Sequence, residues 1–246
     1  MSHAYREDLS WIHDLGFGDL ARHAAETLLQ ALAADGATEG LVVDLGCGSG
    51  ILVEAVAAAG FDALGIDLSP AMIAMARERV PEGQFRCEPL LSAALPPCRA
   101  VAAVGECFNY RFDERNSRQQ LAGLFRRVHE ALLPGGLFLF DAAGPGRVPG
   151  EGQVKTHVDG GDWALLMSAE EDQVAGRLTR CITSFRRVGD CFRRADECHE
   201  LDLWPPQELA ADLRQAGFEV TLLDAYAGHA LPPGLTGFLA RRPRPA

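Results

Sequence analysis

The stretch Val42-Val43-Asp44-Leu45-Gly46-Cys47-Gly48-Ser49-Gly50 constrains the fold of this chain more than any other. It reads as a buried strand, Leu41 to Leu45, running into a tight turn with three glycines, after which a helix starts near Gly50 or Ile51. Glycine serves where the backbone must bend with positive φ, or where a ligand lies against bare main chain. The first N–H groups of the following helix have no partner within it and face such a ligand. The segment therefore predicts a nucleotide-like ligand at the C-terminal edge of a parallel sheet.

A second acid narrows the ligand. Ala63-Leu64-Gly65-Ile66-Asp67 reads as the next strand, ending in a carboxylate that can hold both hydroxyls of an adenosine ribose. Dehydrogenases and S-adenosylmethionine (SAM) enzymes share that feature, and the turn separates them. A dinucleotide site uses G-x-G-x-x-G, with pyrophosphate at the helix start. Here the spacing is G-x-G-x-G, with Asp44 just before it. A carboxylate repels a pyrophosphate but favours the ammonium group of an amino acid. The pattern points to a cofactor uncharged in its middle and cationic at one end, as SAM is.

With these residues in place, the chain resembles the class I SAM-dependent methyltransferases of the small-molecule type. The resemblance is carried by Val42 to Gly50 and by Gly65-Ile66-Asp67-Leu68-Ser69-Pro70-Ala71-Met72. Glu106-Cys107-Phe108-Asn109-Tyr110 and Leu133-Pro134-Gly135-Gly136-Leu137-Phe138-Leu139-Phe140-Asp141 continue it in the same order. It implies SAM as cofactor and S-adenosylhomocysteine as product. Gly46, Cys47, Gly48 and Gly50 then border the methionine part, with Asp44 near its ammonium, and Asp67 takes the ribose diol. Leu68 and Met72 flank the adenine, whose edge meets Glu88, Pro89 and Leu90, while Gly105 and Glu106 lie beside the sulfonium. Many relatives carry an aspartate near the adenine where this chain has Cys87-Glu88-Pro89-Leu90.

The fold expected is α/β: a Rossmann-like, doubly wound, mostly parallel seven-stranded sheet with an inserted antiparallel meander and N-terminal helices. Residues 1–38 form a helical lid, with Leu20, Ala24, Leu28 and Leu32 as the apolar stripe of its second helix. Residues 39–152 form the SAM-binding core, 153–204 a meander over the acceptor site, and 205–246 the completion of the sheet. Within the meander, strands are expected over 163–167, 178–188 and 191–204. Ser69-Pro70 starts a helix, with serine as cap and proline in the first turn.

Acceptor-side candidates are Asn109 and Tyr110 in the core, Tyr5 and Trp11 in the lid, and Glu197 in the meander. Glu197 and His199 share one side of a strand, so the carboxylate can orient the histidine as a general base. His199 and Tyr110 are the catalytic candidates; His3, His13, His23 and His129 are expected on helices away from the chemistry.

The formal charge of −11 disfavours nucleic acid and anionic membrane as partners, since both require basic surface. The seven cysteines form no C-x-x-C pair and no metal-ligand spacing, and are read as reduced thiols of a cytoplasmic protein without a metal. The charged N-terminus lacks the apolar core of a signal peptide. The function expected is methyl transfer to O or N of a small molecule. The alternative is a SAM- or nucleoside-binding regulatory module without transfer activity. The sequence sets no oligomeric state.

Overall fold

The computed structural model of the chain describes residues 5–113, 116–150 and 152–245. After helices α1 (Glu7–Gly16) and α2 (Asp19–Ala34), strand β1 (Leu41–Leu45) opens an alternation of strands and helices. It continues through α3 (Ile51–Ala58), β2 (Asp62–Asp67), α4 (Pro70–Arg79), β3 (Gln84–Cys87), β4 (Cys98–Ala103), α5 (Arg118–Ala131) and β5 (Leu132–Ala143). A meander follows, β6 (Gln153–Asp159), β7 (Trp163–Asp172), β8 (Arg177–Val188) and β9 (Cys191–Asp202). The chain then returns to the core with α6 (Pro206–Gln215), β10 (Glu219–Leu223), a short hairpin of β11 (Ala225–Tyr226) and β12 (His229–Ala230), and β13 (Leu235–Arg241).

The main sheet has seven strands in the order β10-β13-β5-β4-β1-β2-β3. Only β13 opposes its neighbours; β1, β2, β3, β4 and β5 run parallel. Strand alternation divides the core between two layers. Val43, Leu45, Val101, Ala103, Phe138 and Phe140 face α5 and α6. Val42, Ala100, Ala102, Leu137 and Leu139 face α2 and α3. The predicted stripe on α2 buries Ala24, Leu28 and Leu32 in that second layer. Ser69 caps α4 as expected, accepting the Met72 N–H at 3.3 Å.

The parallel strands end on one edge, and the loops there build the site. β1 and β4 are adjacent, yet the helix after β1 and the helix after β4 pack on opposite faces. That divergence opens a crevice at the carboxyl ends of the strands, the usual ligand position in open α/β sheets.

The meander is a separate four-stranded antiparallel sheet, β6-β7-β8-β9. Its first strand, β6, had no counterpart in the sequence reading because its side chains are mostly exposed and only Val154 and Val158 mark its apolar face. Asn109 anchors the meander to the core. Its side-chain amide donates to the carbonyls of Ala143 (2.8 Å) and Asp202 (2.6 Å), and its Oδ1 accepts the Ala143 N–H at 3.0 Å. One buried side chain thus ties the ends of β5 and β9 to the loop after β4.

The cysteine reading is corrected at one pair. Cys181 and Cys198 form a disulfide, while Cys47, Cys87, Cys98, Cys107 and Cys191 are free. The two bonded cysteines are register partners across β8 and β9, with Cα atoms 4.1 Å apart. Spacing of 17 residues in sequence carried no sign of that opposition.

Candidate active site

The turn after β1 is fastened to β2: the N–H groups of Gly46 and Cys47 both donate to the Ile66 carbonyl, at 2.7 and 3.0 Å. The three glycines adopt positive φ, but for different reasons. A Cβ on Gly46 would meet the Cys107 sulfur at 2.5 Å, and one on Gly50 would meet Ala76 of α4 at 3.1 Å. Those two make room for protein. At Gly48 the nearest atom to an added Cβ is the Met72 sulfur at 3.9 Å, so this main chain faces open space. Of the three, Gly46 and Gly48 border the cleft described below, while Gly50 packs against α4. Cys47 is likewise turned away, packed among Val53, Ile73 and Phe85.

Asp67 stands beside Gly48. Its Oδ2 accepts the Gly48 N–H at 2.9 Å and its Oδ1 the Ser69 N–H at 2.7 Å. Burial pushes the Asp67 carboxyl above its usual value despite those donors. Asp44 lies deeper, only 3% exposed, and burial with Asp67 nearby pushes it up to about 8. A cation entering here would relieve both. Leu68, Met72, Pro89, Leu90, Val104 and Gly105 line, with Gly46, Gly48 and Asp67, a cleft of about 140 Å³. Glu88 is not on its wall; the carboxylate turns to Arg86, 3.8 Å away.

A second cavity, about 670 Å³, lies between the sheet edge and the meander. Its roof is apolar, from Val154, Val158, Leu165, Met167, Leu178 and Ile182. Its floor is charged. Arg147 Nε donates to Glu106 Oε1 at 2.5 Å, and Arg180 Nη1 to Glu106 Oε2 at 3.1 Å. Burial alone would raise the Glu106 pKa, but Arg180 and Arg147 outweigh it and hold the carboxyl below the usual glutamate value. Glu106 itself sits at φ +62, a conformation non-glycine residues rarely take. Asp141 at the end of β5 holds it there: its Oδ1 accepts the N–H of Glu106 at 2.7 Å and that of Gly105 at 3.0 Å. Tyr226 O–H approaches the other oxygen at 3.4 Å.

The two cavities share Tyr5, His13, Gly105 and Tyr110. Tyr5 and Tyr110 hydroxyls are 2.9 Å apart, and Arg180 Nη1 reaches the Tyr110 hydroxyl at 3.5 Å. Nothing lies within 4 Å of a Cβ placed on Gly105, so a side chain there would project into the junction. Burial raises the pKa of both tyrosines, and burial lowers His13 to about 4. All three are therefore neutral near pH 7.

Tyr5 and Tyr110 are thus brought together, and Glu106 joins them. Other expectations are corrected. Trp11 lines neither cavity; it packs on the meander under the Arg186 guanidinium, 4.3 Å from its ring. Asn109 is a strut with its polar atoms bonded to backbone, as described. His199 and Glu197 are paired at 3.0 Å on one side of β9, but both are buried behind the cavity wall. His199 touches Tyr5, Phe112 and Tyr110 by ring packing, with centroids 5.2, 4.9 and 5.8 Å away. His13, expected away from the site, lines both cavities. His3 lies outside the described residues.

Sequence reasoning missed Asp141 as a positioning group, and Arg147 and Arg180 altogether. Arg180 left a signal: it lies between Leu178 and Ile182 on the inward face of β8, a cation in an apolar row. Arg147 left none in its glycine- and proline-rich loop.

Residues 42–136 match the methyltransferase domain family. YqeM of Bacillus subtilis, named as a methyltransferase, is 24% identical over 192 residues, 74% of each chain. An 18S rRNA (guanine-N(7))-methyltransferase of Dictyostelium discoideum, named as probable, is 29% identical over 46% of this chain and 42% of its own. Among solved structures, a SAM-dependent methyltransferase from Clostridium acetobutylicum superposes with TM-score 0.80 at 17% identity, covering 95% of this chain and 96% of that one. A sugar N-methyltransferase from Streptoalloteichus superposes with TM-score 0.74 at 20% identity, over 95% and 92%. With the strand order and the β1 turn, these matches define a class I SAM-dependent methyltransferase. Its cofactor is SAM, and the cleft beside Gly48 and Asp67 fits that cofactor's bare-backbone and diol requirements. Among the described residues, no helix is long and apolar enough to cross a membrane.

Proposed function

We propose that this methyltransferase transfers the methyl group to an oxygen or nitrogen of a small molecule seated in the 670 Å³ cavity. One observation carries the reading: that cavity and the cofactor cleft are separate spaces with a common wall at Tyr5, His13, Gly105 and Tyr110. A pocket of this size, largely apolar and roofed by a sheet, suits a metabolite. The net charge of −11 is poorly suited to a polyanionic acceptor. The sugar N-methyltransferase resemblance agrees with a metabolite; the rRNA relative makes RNA the acceptor class to test against it.

In this reading Asp67 holds the ribose diol, Gly48 offers bare main chain, and Asp44 faces the ammonium end. Leu68, Met72, Pro89 and Leu90 enclose the adenine. Bound SAM supplies a methyl group already activated by its positive sulfur. The protein therefore contributes mainly alignment, which can be worth about 7–11 kcal/mol. Tyr5 and Tyr110 stay protonated and offer hydroxyls at the junction. Glu106, clamped by two guanidinium groups, is a weak base. The site thus suits an acceptor atom that needs no strong base: a neutral amine or an oxygen already ionised. Residues 1–38 act as the lid, closing both spaces through Tyr5 and His13.

The test is production of S-adenosylhomocysteine from SAM with a panel of amino sugars, phenols, carboxylic acids and ribosomal RNA. Turnover with one of the small molecules supports the proposal. Turnover with RNA alone overturns it.

A further inference from the structure

The charges on the acceptor cavity do not balance. Among the described residues, five side chains on its wall could carry charge near neutral pH: His13, Asp19, Glu106, Arg147 and Arg180. Asp19 stands at the rim, its side chain 84% exposed and paired with Arg22. Burial keeps His13 neutral, lowering it to about 4. What remains inside is one carboxylate and two guanidinium groups. Both oxygens of Glu106 are already engaged, one by each arginine.

The two arginines keep donors in reserve. Arg180 directs Nη1 to Glu106 and to the Tyr110 hydroxyl, and among the described residues its Nε and Nη2 have no acceptor. Arg147 uses Nε on Glu106 and Nη1 on the Pro233 carbonyl at 3.5 Å, leaving Nη2. The Arg180 side chain is only 13% exposed, so what is exposed of it opens on the cavity that it lines. Asp141 lies beneath the wall, not on it, with its oxygens facing the Gly105 and Glu106 N–H groups and the Tyr226 hydroxyl. A sulfonium in the adjoining cleft adds positive charge to the same region.

We infer that the acceptor carries an oxyanion, a carboxylate or a phosphate, that seats on the free donors of Arg180 and Arg147 while an apolar body fills the space under the meander. The inference rests on the acceptor reading of this cavity. Guanidinium forks match carboxylate and phosphate oxygens with charge-assisted hydrogen bonds. The apolar lining from β6, β7 and β8 fits an alkyl or aromatic body and offers no partner to a second charge. An ammonium placed here would meet like charge from two arginines and the cofactor. The floor therefore selects acids over amines of the same shape.

The test uses the full chain saturated with S-adenosylhomocysteine and titrated calorimetrically with hexanoate, hexyl phosphate, hexanamide and hexylamine. Expected is roughly ten- to hundredfold tighter binding of at least one anion than of hexanamide and hexylamine, the range for hydrogen bonds to charged groups. Hexanoate ahead of hexyl phosphate identifies a carboxylate, and the reverse order a phosphate. Arg180→Gln should erase the preference and Arg180→Lys retain part of it. Equal binding of the amide or the amine, no anion binding, or an unchanged preference in a folded Arg180→Gln overturns the inference. The wild-type comparison across the four probes stands even if a variant does not fold. Prior titration with S-adenosylhomocysteine separates the two levels. Failure to bind it strikes the functional proposal, whereas binding without anion preference strikes this inference alone.

Discussion

Replacing Asp67 by alanine tests the cofactor cleft most directly. An ionised carboxylate offers about four acceptor positions; the fold uses two for the N–H groups of Gly48 and Ser69, and the Leu68 N–H also bears on the carboxylate. At least one remains for a ribose hydroxyl. A hydrogen bond to a charged group is worth about 1.5–3 kcal/mol, so losing even one weakens cofactor binding about 10- to 150-fold. The alanine variant also frees Gly48 and Ser69, which loosens the cradle and moves the loss toward the upper end. Calorimetry with S-adenosylhomocysteine and with its 2′-deoxy analogue isolates the ribose part. In wild type the analogue should bind more weakly; in Asp67→Ala that penalty should vanish, because the partner is gone. A penalty of the same size in both proteins, or an affinity in the variant within threefold of wild type, would refute the assignment.

Asp141→Ala leaves the buried N–H groups of Gly105 and Glu106 without an acceptor, so the thermal midpoint should drop by an amount equivalent to about 2–5 kcal/mol. An unchanged midpoint in differential scanning fluorimetry would show that other groups hold the loop. Asp44, raised from 3.8 to about 8, contributes stability that is fully present below its unfolded value and lost as pH rises through about 8. The cofactor-free wild type should therefore lose stability relative to Asp44→Asn between pH 5 and 9 in urea titrations, and a constant difference would contradict the burial argument. His199→Gln should leave the pH profile of turnover unchanged, since the imidazole lines neither cavity; loss of the acidic limb would restore it as the general base.

The legible parts of the molecule were those set by local chemistry. Val42 to Gly50 announces strand, turn and helix because glycine at positive φ has few substitutes. Asp67 was legible because a strand end fixes where its carboxylate goes. Tyr110 followed from its place after β4. What stayed hidden depends on pairing between distant segments. Gly46 and Gly50 look like Gly48 in sequence, and only the approach of Cys107 and Ala76 distinguishes them. Asn109 sits beside Tyr110, yet its neighbours Ala143 and Asp202 turn it into a strut. Cys181 and Cys198 become partners through register. His199 and Glu197 were correctly placed on one side of β9, but whether that side faces a cavity or a buried cluster is decided by Tyr5, Tyr110 and Phe112, which no periodicity within the meander reveals.

Helix α1 explains how one element can serve two binding events. On one side the Tyr5 carbonyl accepts from Ser69 Oγ at 2.9 Å, and Asp14 Oδ1 accepts from Ser49 Oγ at 2.5 Å and Arg79 Nη2 at 2.6 Å. These bonds fasten α1 to both turns of the cofactor cleft. On the other side Asp8 pairs with Arg186 and Arg193, and Leu9 and Ile12 pack against Trp163, Leu165 and Ile182 of the meander. Tyr5, just ahead of α1, and His13 on it wall both spaces, so movement of α1 would widen both. The three hydrogen bonds on the cofactor side are worth about 0.5–1.5 kcal/mol each, more where a charge is involved. Their sum, a few kcal/mol, permits a minor open population without global unfolding. The apolar packing on the meander side holds more strongly, since each fully buried aliphatic side chain contributes about 1.5–3 kcal/mol. The weaker attachment is therefore to the cofactor side, and α1 is expected to leave that side first while it stays on the meander.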